Sequence, residues 1–410
     1  MKSLFNVFSI LFILSVVLFS CDNFEDVPAE NNNVYLTSST SVGVHSITEI
    51  NTLIGMASIQ YPDLASISNR FTAPVEVYKI TYYTTFEGNK KEASGLVCVP
   101  KVSGTYPLMS FQNGTNTLNS AAPSVAPNSD LFRLLSLMAS SGFVLSIPDY
   151  LGFGAADDMF HPYLDKESTV QTVVDMMRAT KELIAEIDSI DLNKDLYITG
   201  YSQGGWSTMQ LQKTIETNYS GDFNLKASAC GAGPYNLVAI NDYVLAENTY
   251  PMPYFLGYIM NSFSNLRMTT PIDSVFNEPY ASRIPGLYDG SKDGTEINAQ
   301  LTTNVTDLFV PNYVENWNKP GIYESLYSMM ESNSISGYNT QVPTLLLHGT
   351  ADTFVPPFTS QNLYNEFIAA GVSTNLVHYM ELDGLDHTGA VIPAELKAII
   401  WFLQIRDGAV

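Results

Sequence analysis

Between residues 106 and 231 the chain alternates short apolar runs with segments of helical period, and no other feature restricts its fold as much. YPLMSFQ, GFVLSIPDY, DLYITG and LKASACGAG have the length and near-continuous hydrophobicity of strands buried on both faces. Residues 130–140 read as a helix. A longer one carries Val170, Val173, Val174, Met177, Ile184 and Ile187 close to a 3.6-residue period, with Ser168 as its expected cap. GGWSTMQLQKTIETN reads as a third. Strand and helix in alternation imply a mostly parallel central sheet flanked by helices, an α/β architecture. The rhythm stops over residues 235–341, which are rich in Tyr, Met, Phe and Asn and read as a mainly helical insertion. It resumes with the strand PTLLLHG, the helix FTSQNLYNEFIAAG, the strand NLVHYMEL and the closing helix PAELKAIIWFLQIR.

The N-terminal part has another character. Residues 1–20, MKSLFNVFSILFILSVVLFS, place one cation before a long apolar run, the pattern of an export signal. The run ends in LFSC, followed by acidic DNFED, and this resembles the processing box of bacterial lipoproteins. The resemblance implies cleavage before Cys21, acylation of that cysteine, and a lipid anchor in the bacterial cell envelope, at the outer membrane or cell surface. Ordinary secretion and an uncleaved anchor helix stay open as alternatives. Residues 21–45 are polar and aperiodic and read as a tether. A helix is expected over 46–59, then two strands, VEVYKITYYTTF and KEASGLVCVP, joined by turn chemistry at Gly88 and Asn89. The domain map is therefore a signal at 1–20, a tether at 21–45, a core at 46–234 and 342–410, and a cap at 235–341. Cys98 and Cys230 sit in apolar strand-like stretches and are expected as free, buried thiols. The net charge of −22 opposes binding to nucleic acid, whose phosphates would be repelled.

Chemistry concentrates around ITGYSQGGWS. Gly200-Tyr201-Ser202-Gln203-Gly204 fits G-x-S-x-G, and its position after a strand and before a helix is the setting in which a sharp turn exposes a nucleophilic serine. Together with QNGTN, PDYLGFG, HPYL, LLHGTADTFVP and GLDHTG, the motif resembles the α/β-hydrolase superfamily, in its secreted lipase and esterase branch. That resemblance runs from about Val75 to the C-terminus. It implies the chain order nucleophile, acid, histidine, which Ser202, Asp352 and His387 supply. Asp352 and His387 both lie on loops that follow strands, where an open parallel sheet presents its ligands. His387 would take the serine proton and Asp352 would fix its tautomer. Asp383 and Asp386, on the histidine's own loop, are the rival acids. Asp149, in PDYLGFG, reads as structural, and His348 as a brace for the acid loop. His45 and His378 are weaker candidates.

An oxyanion needs backbone N–H donors, one from Gln203 and one from the loop after an earlier strand. Thr115 is the first choice there, with a hydroxyl able to add a bond, and Gly114 the alternative. Asn113, Tyr201 and His161 are expected near the pocket. No metal or cofactor is expected, since the histidines are scattered and GYSQGG lacks the lysine of a phosphate loop. These residues imply a serine hydrolase cleaving a small-molecule or lipid ester through an acyl-enzyme, and nothing points to a protein partner. Two other readings stay open. One is an exopeptidase of the prolyl-peptidase type, with Glu247 or Glu315 anchoring an amine. The other is a non-catalytic lipoprotein that binds glycan or lipid.

Overall fold

The computed structural model describes residues 33–409. The expected signal at 1–20, Cys21 and residues 22–32 of the expected tether lie outside the described residues. One nine-stranded sheet runs through the molecule, in the order β1-β2-β3-β5-β4-β6-β7-β8-β9. Its strands are β1 (Leu36–His45), β2 (Val75–Phe86), β3 (Asn89–Pro100), β4 (Gly104–Gln112), β5 (Val144–Pro148), β6 (Ile190–Tyr201), β7 (Asn224–Gly231), β8 (Thr344–Gly349) and β9 (Val377–Leu382). From β5 to the β9 edge every pairing is parallel, whereas β1, β2 and β3 pair antiparallel. This is the mostly parallel α/β sheet that the alternation implies.

Strand β1 corrects the reading of residues 21–45 as a tether, because Leu36–His45 pair along β2. Its sequence, LTSSTSVGVH, has the polarity of a linker, but an edge strand needs only one covered face. Its entry is held by Glu182, whose carboxylate accepts from the N–H groups of Val34, Tyr35 and Leu36 at 2.9, 2.9 and 2.6 Å.

Helices cover both faces. Helix α1 (Ile47–Gln60) is capped by Ser46, and α2 (Asp130–Ser136) by Ser129. With the C-terminal helix Val391–Arg406 they bury Ile50, Ile54, Phe132, Ile399 and Phe402 against one face of the sheet. Helix α3 (Lys166–Ala185) buries Val170, Val173, Met177 and Ile184 on the opposite face. Its cap is Asp165 rather than the expected Ser168. The Asp165 carboxylate accepts from the Ser168 N–H at 2.9 Å and from its hydroxyl at 2.6 Å. A carboxylate at that end also meets the helix dipole, so it outcompetes a serine three residues inside. Helix α4 (Gln203–Thr214) follows β6 directly. Cys98 and Cys230 are buried free thiols, and burial pushes both up to about 12.

Between β7 and β8 the chain leaves the sheet for residues 232–343. It forms α5 (Leu237–Ala246), α6 (Pro253–Asn265) and several shorter helices, ending with Glu324–Asn333. These gather Tyr, Phe, Met and Trp side chains into an apolar cluster that reaches Tyr163, Leu164, Trp206 and Val355 of the sheet layer.

Candidate active site

Parallel pairing aligns the carboxyl ends of β4, β6, β8 and β9, so the loops that leave them share one edge of the sheet. Ser202 is the turn between β6 and α4. Its φ of 61° and ψ of −122° are a conformation that L residues rarely hold, and such strain costs on the order of 1–3 kcal/mol. The turn is pinned on both sides: the Ser202 N–H donates to Gly231 O at 2.9 Å, and the Trp206 N–H donates to Ser202 O at 3.1 Å. It also requires glycine nearby. A Cβ on Gly204 would overlap the carbonyl oxygen of Gln112, and one on Gly205 that of Gly231.

Ser202, His387 and Asp352 are all buried. Asp352 Oδ2 lies 2.6 Å from His387 Nδ1, and His387 Nε2 lies 2.9 Å from Ser202 Oγ. An ionised carboxylate only accepts, so Nδ1 carries the proton and the neutral ring's Nε2 accepts from the serine hydroxyl. Asp352 Oδ1 is occupied by the N–H groups of Phe354 and Val355 at 2.9 and 3.0 Å. Burial alone would push this carboxyl up, but hydrogen bonds from His348 and His387 outweigh it and hold it at about 2. His348 Nε2 donates to Val355 O at 2.8 Å and lies 3.2 Å from Asp352 Oδ2, bracing the acid loop. The rival acids turn elsewhere: Asp386 accepts from the Gly389 N–H at 2.7 Å and Asp383 faces Thr350, both exposed to solvent. Asp149 binds Ser94 and the Ser124 N–H, away from His387.

The loop after β4 lies beside the serine because Gln112 pairs with Gly200. Within the described residues, no hydrogen bond engages the N–H of Gly114, Thr115 or Gln203, so all three are free to meet a developing oxyanion. The Thr115 hydroxyl pairs with Tyr163 OH at 2.9 Å, and it can still serve as the extra donor expected from the sequence when the tyrosine supplies the proton of that pair. Gln203 is fixed through its side chain. His161 Nδ1 donates to Leu151 O at 2.7 Å, and its Nε2 accepts from the Gln203 amide at 2.9 Å. Burial lowers His161 to about 4, which keeps that acceptor neutral.

Ser202 opens on a cavity of about 30 Å³ bounded by Leu164, Leu237, Ile240, Leu256, Ile259 and Val355 among others. Asn113, Tyr201 and His161 do not line it. Asn113 donates to Pro148 O at 2.6 Å, the Tyr201 ring packs against His387 at 5.2 Å, and His161 faces a polar cavity on the far side of α6. Glu247 and Glu315 are exposed and line no part of it either. Sequence reasoning missed Tyr163, although it lies in the HPYL motif, and Tyr258, whose only signal was the aromatic richness of the insertion. Among the described residues, no three His, Cys, Asp or Glu side chains gather as they would around a metal ion.

A family model for secretory lipases matches residues 117–408, more than half of the chain. The chain belongs to the secretory lipase family. It is an ester hydrolase with the α/β-hydrolase fold. A solved Legionella pneumophila protein shares 25% identity with this secretory lipase, covering 90% of this chain and 98% of its own, at a TM-score of 0.79. The rice cell wall degrading esterase LipA from Xanthomonas oryzae, in a ligand-bound form, shares 25% identity over 89% of this chain and 96% of its own, with a TM-score of 0.74. Candida antarctica lipase A in its closed state, at 16% identity and a TM-score of 0.64 over 91% of this chain and 82% of its own, shares the fold. No curated protein matches the chain by sequence.

Proposed function

We propose that this secretory lipase cleaves carboxylic esters through an acyl-enzyme on Ser202, with His387 as the base and Asp352 as its orienting acid. The observation that carries the reading is the unbroken hydrogen-bonded line from Asp352 through His387 to a strained serine at the floor of an apolar cavity. His387 Nε2 takes the hydroxyl proton as Ser202 Oγ attacks the ester carbonyl carbon, and the carbonyl oxygen becomes an oxyanion. The N–H groups of Gln203 and of Gly114 or Thr115 hold that oxygen, an interaction worth ~2.7–4 kcal/mol per donor in comparable sites. The imidazolium then returns its proton to the departing alkoxide. Water, deprotonated by the same ring, releases the acid and restores the serine.

The cavity is about 30 Å³, an order of magnitude below the ~300–1,000 Å³ of a typical small-molecule site. Short acyl groups are therefore the favoured substrates, and longer chains require α5 and α6 to move. Residues 235–341 act as the cap over Ser202. Cys21 carries the lipid, and more than one acyl chain anchors a protein stably, each buried CH₂ contributing ~0.8 kcal/mol.

Hydrolysis of p-nitrophenyl esters of graded chain length, by the wild type and Ser202→Ala, tests the reading. Turnover of the shortest esters that vanishes in the variant supports it. Equal turnover by both proteins refutes it. Labelling with a fatty-acid analogue, present in the wild type and absent in Cys21→Ser, tests the anchor.

A further inference from the structure

Contacts from both sides of the oxyanion site meet on the ring of Tyr258, which α6 carries out of the inserted segment. Its hydroxyl donates to the carbonyl oxygen of Asn116 at 3.2 Å, one residue past Thr115. One face stacks on Tyr163 with centroids 4.4 Å apart and planes 11° apart, and Tyr163 holds the Thr115 hydroxyl. Its edge meets the His161 imidazole at 5.7 Å, and His161 holds the Gln203 side chain. The other face is covered by Tyr288 at 4.5 Å, whose hydroxyl donates to Tyr254 O at 2.7 Å. Tyr258 is 2% exposed.

We propose that Tyr258 is a positioning residue that clamps both halves of the oxyanion site, so that ester cleavage requires the inserted segment to be seated on the core. The inference rests on the Ser202 reading above. Oxyanion donors act over a narrow range, about 2.7–3.1 Å from the oxygen. The loop after β4 has no helix or strand ladder of its own to set that distance. Residues 113–116 are held instead through side chains: Asn113 to Pro148, Tyr150 to Asn113, Thr115 to Tyr163, Asn116 to Leu118 and Tyr258 to Asn116. Tyr258 is the member of this set that the inserted segment contributes. Its ring also abuts the histidine that fixes the residue after the nucleophile. Unseating α6 therefore loosens both donors together.

The test compares wild type, Tyr258→Phe, Tyr258→Leu and Tyr288→Phe on a short-chain p-nitrophenyl ester. A trifluoromethyl ketone, which adds to a serine and presents an oxyanion, serves as the second probe, and melting temperature is recorded alongside. Tyr258→Phe keeps the stack and loses only the bond to Asn116. It is expected to lower kcat roughly two- to tenfold and to weaken ketone inhibition by a similar factor, with KM changed less than about twofold. Tyr258→Leu is expected to go further in the same direction. Tyr288→Phe loses a bond inside the inserted segment and is expected to match the wild type in both assays. Wild-type kcat and ketone inhibition in Tyr258→Phe overturn the clamp. So does an equal fall in Tyr258→Phe and Tyr288→Phe, which would mark a general loss of packing. Activity surviving in Ser202→Ala overturns the Ser202 reading itself, whereas an inactive Ser202→Ala beside an unaffected Tyr258→Phe overturns the clamp alone.

Discussion

Replacing Asp352 by asparagine changes one atom's chemistry and leaves its shape, and the surroundings dictate how the amide must sit. Oδ1 of Asp352 accepts from the Phe354 and Val355 N–H groups, which can only donate. The amide oxygen of the variant must therefore stay there, and the NH₂ turns towards His387 Nδ1, now 2.6 Å away from a carboxylate oxygen. Facing a donor, the ring adopts the tautomer with its proton on Nε2, and that nitrogen no longer accepts the Ser202 proton. The same NH₂ opposes His348 Nε2–H, which lies 3.2 Å from the native carboxylate. An equivalent replacement in a triad of this type lowers kcat by about 10⁴, equivalent to roughly 5–6 kcal/mol of transition-state stabilisation. The assay is kcat/KM on a short-chain p-nitrophenyl ester at neutral pH, with thermal unfolding to establish that the variant is folded. A folded Asp352→Asn protein retaining activity within about tenfold of wild type, a loss of no more than ~1.4 kcal/mol, would refute the assigned role. It would turn attention to Asp383 and Asp386.

Other perturbations follow from the same geometry. Gly204→Ala drives a Cβ into the Gln112 carbonyl, so the strained turn must shift. The expected result is a loss of ester activity with a destabilisation of about 1–3 kcal/mol or more, and an unchanged melting temperature would contradict it. Glu395 is buried beneath β6, where burial pushes its carboxyl up from 4.5 to about 8 against a hydrogen bond from Thr199. The folded protein then holds a proton that the unfolded chain releases above pH ~4.5, so this group's contribution to stability falls as pH rises towards about 8 and then levels off. Glu395→Gln removes that dependence and should gain stability relative to wild type, by up to about 5 kcal/mol, as pH rises across the window. A melting-temperature difference that stays constant from acid to alkaline pH would count against the burial argument. Leu237→Ala enlarges the cavity at Ser202 and should move the preferred acyl chain to greater length, at a stability cost of about 2–5 kcal/mol. An unaltered chain-length profile would show that acyl groups lodge elsewhere.

Legibility tracked the range over which each feature is determined. Strand and helix alternation, the helix expected from residue 46 and the G-x-S-x-G turn are written in adjacent residues, because periodicity and turn chemistry act within a few positions. Ser202, Asp352 and His387 could be proposed in order because the resemblance to the α/β-hydrolase superfamily implies that order, and each lies where a strand passes into a loop or turn. Strand β1 could not be found this way. Its polar residues resemble a linker until β2 pairs with them and Glu182, 146 positions beyond Leu36, binds their N–H groups. The same holds for the cap of α3, where Asp165 and Ser168 compete and only the backbone's path chooses.

The class of fold was therefore legible in the sequence pattern, and the ester-hydrolase chemistry with its candidate side chains in the family resemblance, since both depend on local motifs and residue identity. Packing decided what each of those side chains touches. Asp352 faces His387 while Asp383 and Asp386 turn outward, the Thr115 hydroxyl pairs with that of Tyr163, His161 serves Gln203 from behind the cavity, and Tyr258 comes from the inserted segment to join them. Such contacts join residues tens to hundreds of positions apart, and whether a hydrogen bond forms turns on tenths of an ångström that only the folded chain sets.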